Sequence, residues 1–512
     1  MDGDLIEVVE STAIGHVVVL GGGITGLAAA HRLLQVHAEA TPGLRVTLVE
    51  ADDRLGGKIV TERLDGFVIE GGPDSFLATK PRGIGLCAEL GFGEHPPLQG
   101  QRQLQGVRPQ RRRAFVLWRG RLHDLPEGLS GLVPTRLAPL ARSSLLSPLG
   151  KTRVALDYLL PTRREPGDES LGGFIRRRLG REAWERLVEP LMAGIYAADG
   201  DQLSLAATFP QLREAERQYG GLIKGVLAAR RLAPSPTGIP GSPFLTPAGG
   251  LGDLVHALES RLRDAEVRLI LGSPATTVTP SGSGFDVRLA AGRVIRADAV
   301  IVATPAYAAA DLLAELDPIL AMDLAAIPHA STAIVTLAHR REAIPHPLDG
   351  HGYVIPRAEG SPILACTWSS RKWAGRAPEG WELIRVFIGR AGQEDALTAD
   401  DNSLVALAVQ EVAARLGVTE PASLTRVRRW PRGMPQYLLG HPERVARIEA
   451  AQSKHVGLYL AGNAFHGVGL PDCIASGERA ADAAAAHLRS AGPLTTSIAV
   501  GSGSAGSPSA AR

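Results

Sequence analysis

The chain has 512 residues, enough for about two to four domains, and its 55 Lys+Arg against 53 Asp+Glu leave a net charge of +2. That balance gives no overall field to recruit nucleic acid or an anionic membrane, and 45% hydrophobic with 21% charged residues suits a globular chain. The cysteines, Cys87, Cys366 and Cys473, are few and far apart, which argues against a disulfide framework or a zinc knuckle.

No apolar run approaches the ~18 residues of a membrane-spanning helix. The first fifteen residues are acidic and lack the order of a secretory signal. Together with the cysteine usage, this points to a cytoplasmic protein. Val17 to Leu20 is a β-branched apolar run, as in a strand buried on both faces of a parallel sheet. Gly21, Gly23 and Gly26 follow as G-x-G-x-x-G, and Leu27 to Gln35 reads as a helix. In such a turn Gly21 allows the bend, Gly23 lets the backbone approach a pyrophosphate, and Gly26 lets helix and strand pack closely. Arg45 to Glu50 is the second strand of a βαβ unit, ending on an acid placed for ribose hydroxyls.

Two further glycine sites, Gly56-Gly57-Lys58 and Gly71-Gly72-Pro73-Asp74-Ser75, suit a longer cofactor lying extended, although surface turns would look the same by spacing. Helical pattern dominates from about Ser170 to Leu232. Val294 to Ala303 reads as another buried strand, and alternation over Ala333–Leu337 and Leu383–Ile388 suggests antiparallel strands. Gly457 to Ala461 is a last buried strand, followed by Gly467-Val468-Gly469-Leu470-Pro471-Asp472 and a helix from about Cys473 through Ala485. That helix start offers free backbone N–H groups to negative charge. Residues 491–512 read as a disordered tail.

The N-terminal segment, Ala297–Pro305 and the C-terminal LYLAGN…GVGLPDCIASGERAA together resemble the flavin-containing amine oxidase superfamily. Within it, SLGGFIRRRLG (Ser170–Gly180), EPLMAGIYAADGDQLSL (Glu189–Leu205), TFPQL (Thr208–Leu212) and MPQYLLGH (Met434–His441) are similar to the porphyrinogen oxidases of haem synthesis. GGPDSFLATKP (Gly71–Pro81) and ACTWSSRKWAGRAPEG (Ala365–Gly380) look more like bacterial coproporphyrinogen III oxidases than mitochondrial protoporphyrinogen enzymes. The resemblance covers about His16 to Leu488. It implies non-covalent FAD, a helical substrate-cavity domain, and dioxygen as electron acceptor. Carried over by position, the cofactor residues are Gly21, Gly22, Gly23, Ile24, Thr25, Gly26, Glu50, Ala51, Lys58, Gly72, Pro73, Asp74, Ser75, Ala275, Trp430, Val468, Gly469 and Leu470. Lys80 matches a substrate-binding lysine of the coproporphyrinogen group. Ala275 stands where the family often has valine, and a backbone contact to adenine survives that change.

The resemblance further implies coproporphyrinogen III oxidised to coproporphyrin III, with hydrogen peroxide formed. A protoporphyrinogen IX oxidase or a flavin amine oxidase is the alternative. A porphyrinogen must lose six hydrogens, which no side chain can accept but a flavin can in two-electron steps. The residues name no catalytic acid or base. Ala114 stands where protoporphyrinogen enzymes often carry arginine, with Arg113 adjacent, and Gly469 takes the place of an aromatic residue common to amine oxidases. Arg102, Arg108, Arg111, Arg112, Arg113, Arg119 and Arg121 form one cationic cluster, and Arg176, Arg177, Arg178 and Arg181 another. Their forks suit propionates, with solvated surface charge the competing explanation. His123, His351, His441 and His466 show no metal-ligand spacing, so no metal is expected. Trp368, Trp373 and Trp381 are expected to pack in the substrate domain. Cys473, at a helix start, is either a thiol of lowered pKa or a buried structural one.

The expected fold is α/β, with a Rossmann-like FAD-binding domain (16–79, 246–306 and 452–490), a mixed-sheet substrate domain (80–120 and 307–451) and a helical insert (121–236). No nucleic acid and no transmembrane segment are expected. The resemblance leaves room for a transient contact with ferrochelatase, which the residues themselves do not indicate.

Overall fold

The computed structural model describes residues 15–40, 43–93, 102–107, 113–130, 132–232 and 242–491. Three separated stretches of chain build one parallel sheet from β1 (Gly15–Leu20), β2 (Leu44–Val49), β3 (Arg268–Ile270), β4 (Ala299–Val302) and β5 (Leu458–Leu460), ordered β3-β2-β1-β4-β5. The residue alternation explains its burial. Val17 and Val19 of β1 enter one core with Leu48 and Ile301, while Val18 and Leu20 enter another with Val49 and Val300. The first core packs against α1 (Ile24–Ala40), the helix Gly252–Asp264 and the long C-terminal α2 (Leu470–Ala491). The second is covered by a hairpin sheet from residues 275–297 and two helices within residues 306–325. Burial on both faces is what a continuous aliphatic strand predicts.

The stretch Val294–Ala303, expected as one strand, is two. Val294–Ala297 pairs antiparallel with Gly284–Leu289, and β4 pairs parallel with β1. The switch occurs at Asp298, whose carboxylate accepts the His16 N–H at 2.7 Å while its own N–H donates to the His16 carbonyl at 2.9 Å. The last helix begins at Leu470 and runs to Ala491, longer at both ends than expected. Of the tail expected at 491–512, residue 491 is helical and 492–512 lie outside the described residues.

A second sheet of seven strands runs 424–435, 329–340, 381–388, 363–368, 352–354, 115–118, 121–124, with one parallel pair (352–354 with 115–118) among antiparallel neighbours. Phe115 and Leu117 face a core shared with the helix Asp401–Leu416, whereas Val116 faces the helical insert. In the insert, helices over 171–179, 189–196, 210–219 and 222–232 pack around Phe174, Trp184 and Met192, with a π-helical turn at Trp184–Val188. Among the described residues, no helix is long and apolar enough to cross a membrane.

Candidate functional site

The glycine loop between β1 and α1 has the stereochemistry its spacing predicts. Gly21 holds φ at +105°, and a Cβ there would lie 2.9 Å from the Ala303 carbonyl oxygen. A Cβ on Gly26 would lie 1.9 Å from the Gly21 oxygen, so only glycine lets α1 start this close to the strand. A Cβ on Gly23 would meet nothing within 4 Å, so the space above the first turn of α1 is open. That space faces the positive end of a seventeen-residue helix.

Glu50 follows β2 directly. Its Oε2 accepts the Gly22 N–H at 2.5 Å and its Oε1 the Asp52 N–H at 2.9 Å, so the carboxylate braces the loop as well as standing beside it. Ala51 is exposed next to it. The Ser273 N–H donates to the Glu50 carbonyl at 3.1 Å, bringing the start of the 275–281 strand, and Ala275, to the same end. The second glycine site folds back on the first: Gly56 N–H donates to the Gly22 carbonyl at 2.8 Å, and Gly23 and Gly56 form a β-bridge. Thr25 is buried, with its side chain close to the Cys473 thiol at the start of α2.

Lys58 comes next. Burial lowers its pKa from the ordinary lysine value, and no carboxylate among the described residues pairs with it. A Cβ on Gly72 would lie 1.9 Å from the Lys58 carbonyl oxygen, so the third glycine site sits against the second. Trp430 Nε1 donates to the Gly71 carbonyl at 2.8 Å. Asp74 anchors the Gly71–Ser75 turn. Its carboxylate accepts from Lys372 Nζ at 3.0 and 3.1 Å, Trp373 Nε1 at 3.2 Å and Ser75 Oγ at 2.7 Å, with Arg385 Nη1 at 3.6 Å. Burial alone would raise the Asp74 pKa, but the cations Lys372 and Arg385 outweigh it and hold the carboxyl well below the usual range. Arg385 also donates to the Gly72 carbonyl.

The C-terminal loop closes the arrangement. Gly467 N–H donates to Tyr437 Oη at 2.9 Å, and Tyr437 donates to the Asn463 carbonyl at 2.6 Å. Gly469 N–H donates to Asp472 at the start of α2. Val468 packs on the helical insert, close to where Tyr196 and Tyr437 meet, and Leu470 packs on the core of the parallel sheet. Cys473 is buried, and desolvation pushes its thiol up to about 11, so it is the inert alternative and not the activated one.

Lys80 stands at the start of the helix Pro81–Glu89, where Nζ reaches both carboxylate oxygens of Asp472 at 2.5 and 2.7 Å. Several members of the two cationic clusters are paired with carboxylates of this chain. Arg178 is fully buried on Asp157, at 2.6 Å, and Arg177 pairs with Glu169 and Glu216. Arg176 pairs with Asp201 and Arg181 with Glu185, so this second cluster braces the insert. Arg113, beside Ala114, pairs with Asp124 and Asp349 at an exposed site. Arg108, Arg111 and Arg112 lie outside the described residues. His466 pairs with Glu449 at 2.7 Å and is half exposed, while Trp368 and Trp373 are buried.

Sequence reasoning missed the hydrogen bond of Tyr437 to Gly467, the Lys372 and Arg385 anchors of Asp74, and Thr304. Thr304 Oγ1, next to the carbonyl that Gly21 packs against, is buried without a partner among the described residues. The open space over Gly23, the desolvated Lys58, without a carboxylate partner among the described residues, and this hydroxyl fit an extended cofactor carrying a pyrophosphate. Lys58 and Gly72 would hold its middle, and the 468–470 turn its far ring.

The flavin containing amine oxidoreductase family matches residues 24–485. A coproporphyrinogen III oxidase of Bacillus subtilis is 38% identical over 476 residues, covering 92% of this chain and 98% of that one. A chloroplastic protoporphyrinogen oxidase 1 of Arabidopsis thaliana is 32% identical, covering 89% and 85%. A crystal structure from Exiguobacterium sp. 255-15 superposes with a TM-score of 0.80 at 33% identity, over 92% and 99% of the two chains. The cyclohexylamine oxidase of Brevibacterium oxydans shares the fold at a TM-score of 0.63 and 18% identity, over 93% and 99%. With the glycine loop, its bracing acid and the C-terminal turn gathered around one open space, these matches make the chain a member of the flavin-containing amine oxidoreductase family, an oxidoreductase whose cofactor is FAD.

Proposed function

We propose that this protein oxidises a porphyrinogen in haem biosynthesis, and specifically coproporphyrinogen III to coproporphyrin III, with dioxygen as acceptor and hydrogen peroxide as by-product. The observation that carries the reading is similarity to coproporphyrinogen III oxidases along nearly the whole chain, at 38% identity in Bacillus subtilis and also in Propionibacterium freudenreichii. FAD, when bound, supplies two-electron oxidation, so removing six hydrogens takes three turnovers and yields three peroxides. The chain's own residues bind and orient. Gly21 to Gly26, Glu50, Ala51 and Ala275 would hold the adenosine end of the cofactor and its pyrophosphate, Lys58, Gly72 to Ser75 and Trp430 its middle, and Val468 to Leu470 its ring.

Lys80, part-exposed at the rim of that arrangement, meets a substrate carboxylate. The helical insert, packed on Val468, keeps bulk water from the reacting carbon. Losing a hydride leaves a cation that sheds an N–H proton unaided, so no side chain is assigned as acid or base. The discontinuous segments 16–79, 246–306 and 452–490 serve the cofactor, 80–120 and 307–451 the substrate, and 121–236 the cavity. The reading includes a cytoplasmic setting and a transient contact with ferrochelatase.

The test is steady-state peroxide and porphyrin formation by FAD-loaded protein on coproporphyrinogen III, protoporphyrinogen IX and simple amines. The expected order puts coproporphyrinogen III first in kcat/KM and shows no amine turnover. Equal or faster turnover of protoporphyrinogen IX overturns the preference, and amine oxidation overturns the class. Lys80→Ala is expected to raise KM about tenfold, the value of one charge-assisted hydrogen bond, while flavin content stays full.

A further inference from the structure

Lys80 is already occupied. Both oxygens of Asp472 lie within 2.7 Å of Nζ, and the Asp472 Oδ2 also accepts the Gly469 N–H at 3.3 Å. The two residues are 392 positions apart, and the helix starts that carry them are docked together. Arg82 pairs with Glu478 one turn further along, and a Cβ on Gly83 would lie 3.0 Å from Pro471. The Lys80 side chain is 43% exposed and that of Asp472 20%, so the pair sits at a rim that solvent and a ligand can reach. Asp472 is near enough to Tyr196 and Tyr437 to help raise their hydroxyl pKa values, after burial itself, which places it on the side facing the helical insert.

We infer that Asp472 is a built-in carboxylate that occupies the Lys80 anchor and competes with the carboxylates of the tetrapyrrole, so that the anchor releases product as readily as it takes substrate. The inference rests on the proposed reading that Lys80 meets a substrate carboxylate. An ammonium has three donors, and Asp472 takes two of them. An arriving propionate therefore displaces Asp472 or shares the cation with it. Substrate and product carry the same propionates, so an unopposed lysine would hold both alike. Two effects oppose each other when Asp472 loses its charge. Repulsion between carboxylates ~6 Å apart at an effective dielectric of ~20 is worth about a hundredfold in affinity, and solvent at this rim lowers that severalfold. Freeing the lysine side chain, which must then be ordered on binding, costs at most about tenfold. Repulsion wins, by about fivefold. Asp472 is thus a positioning residue, acting through Lys80, and no proton or electron passes through it.

The experiment measures binding of coproporphyrin III, and of its tetramethyl ester in dilute detergent, to FAD-loaded protein by tetrapyrrole fluorescence. Asp472→Asn keeps an acceptor for the Gly469 N–H, and Asp472→Ser serves if the asparagine variant does not fold. The expected result is about fivefold tighter binding of the acid, no more than a twofold change for the ester, and a smaller gain when Lys80→Met is already present, because no cation then draws a propionate next to Asp472. Unchanged or weaker binding of the acid, an equal shift for the ester, or a gain undiminished by Lys80→Met overturns the inference. Wild-type protein that oxidises coproporphyrinogen III while the variants show no shift leaves the proposed function standing and removes only Asp472. Wild-type protein that neither binds nor oxidises a tetrapyrrole removes both.

Discussion

Asp74→Asn tests the buried cross-link between the Gly71–Ser75 turn and the seven-stranded sheet. The exchange keeps the shape of the side chain and its contacts with Ser75 and Trp373 but leaves Lys372 and Arg385 without their counter-charge. These groups are 11%, 16% and 1% exposed for Asp74, Lys372 and Arg385, so solvent screens little of the loss. Removing one partner of a buried pair costs about 3–5 kcal/mol, and the retained hydrogen bonds favour the lower figure. At about 2 °C per kcal/mol for a large domain, the melting midpoint drops by about 6 °C. FAD is released more easily as well, because the turn loses its anchor. The assay is differential scanning fluorimetry following flavin and tryptophan signals between pH 4 and 8. A carboxyl held below its ordinary pKa contributes stability that is fully present above the unfolded value of ~3.9 and is lost as pH falls through the folded value. The gap between wild type and variant is therefore flat from pH 8 to 5 and narrows only in stronger acid. Asp74→Asn with Lys372→Met recovers part of the loss, since one stranded cation is gone. A single variant melting within 1 °C of wild type at pH 7 refutes the reasoning.

Gly26→Ala puts a methyl group 1.9 Å from the Gly21 oxygen and is expected to purify colourless, whereas Gly23→Ala, with open space, folds normally and loses affinity for added FAD. Lys58→Met removes a buried cation with no carboxylate partner among the described residues and is expected to keep or raise thermal stability in the apoprotein while weakening FAD binding about tenfold, read by flavin titration. Burial lowers His16, His329 and His441 to about 4, so stability is full above pH 6.5 and falls as pH drops from 6.5 towards 4. His441→Gln flattens part of that slope in a melting series. Desolvation pushes Cys473 up to about 11 and Cys87 up to about 12, so iodoacetamide at pH 8 labels neither until the protein unfolds, as mass spectrometry would show.

The parts of this molecule that could be read from the chain are those whose physics is local. Gly26 announces a turn because its clearance is set by the Gly21 oxygen five positions back, Gly21 because its φ of +105° suits glycine, and Val17 to Leu20 announce a buried strand by side-chain type alone; the Ala303 carbonyl that also crowds Gly21 is not legible nearby. Glu50 was legible for the same reason, at the end of a strand of fixed length. Asp298 was not, because the chain changes sheets there only through its contacts with His16, 282 positions away. The partners of Asp74 lie 298 positions off at Lys372 and further still at Arg385, so only the fold shows that its carboxylate is spent on a cross-link. Arg177 and Arg178 left propionate binding and solvated surface charge both open, because sequence records their charge but not Asp157, Glu169 and Glu216 beside them. Asp472 was visible as a residue after Leu470-Pro471, yet nothing nearby in sequence joins it to Lys80.

The parallel sheet takes its central strand from the first twenty residues and its edge strand from residues 458–460, with the turn that closes the site following at 467–470. A ribosome adding about 5–20 residues per second needs roughly 20–90 s to travel from the glycine loop to that turn. Throughout that interval the nascent sheet lacks its edge strand β5, and on the proposed reading the flavin lacks the turn that would hold its far ring. That reading makes loading a late event, one that waits for about the last fifty residues of the chain.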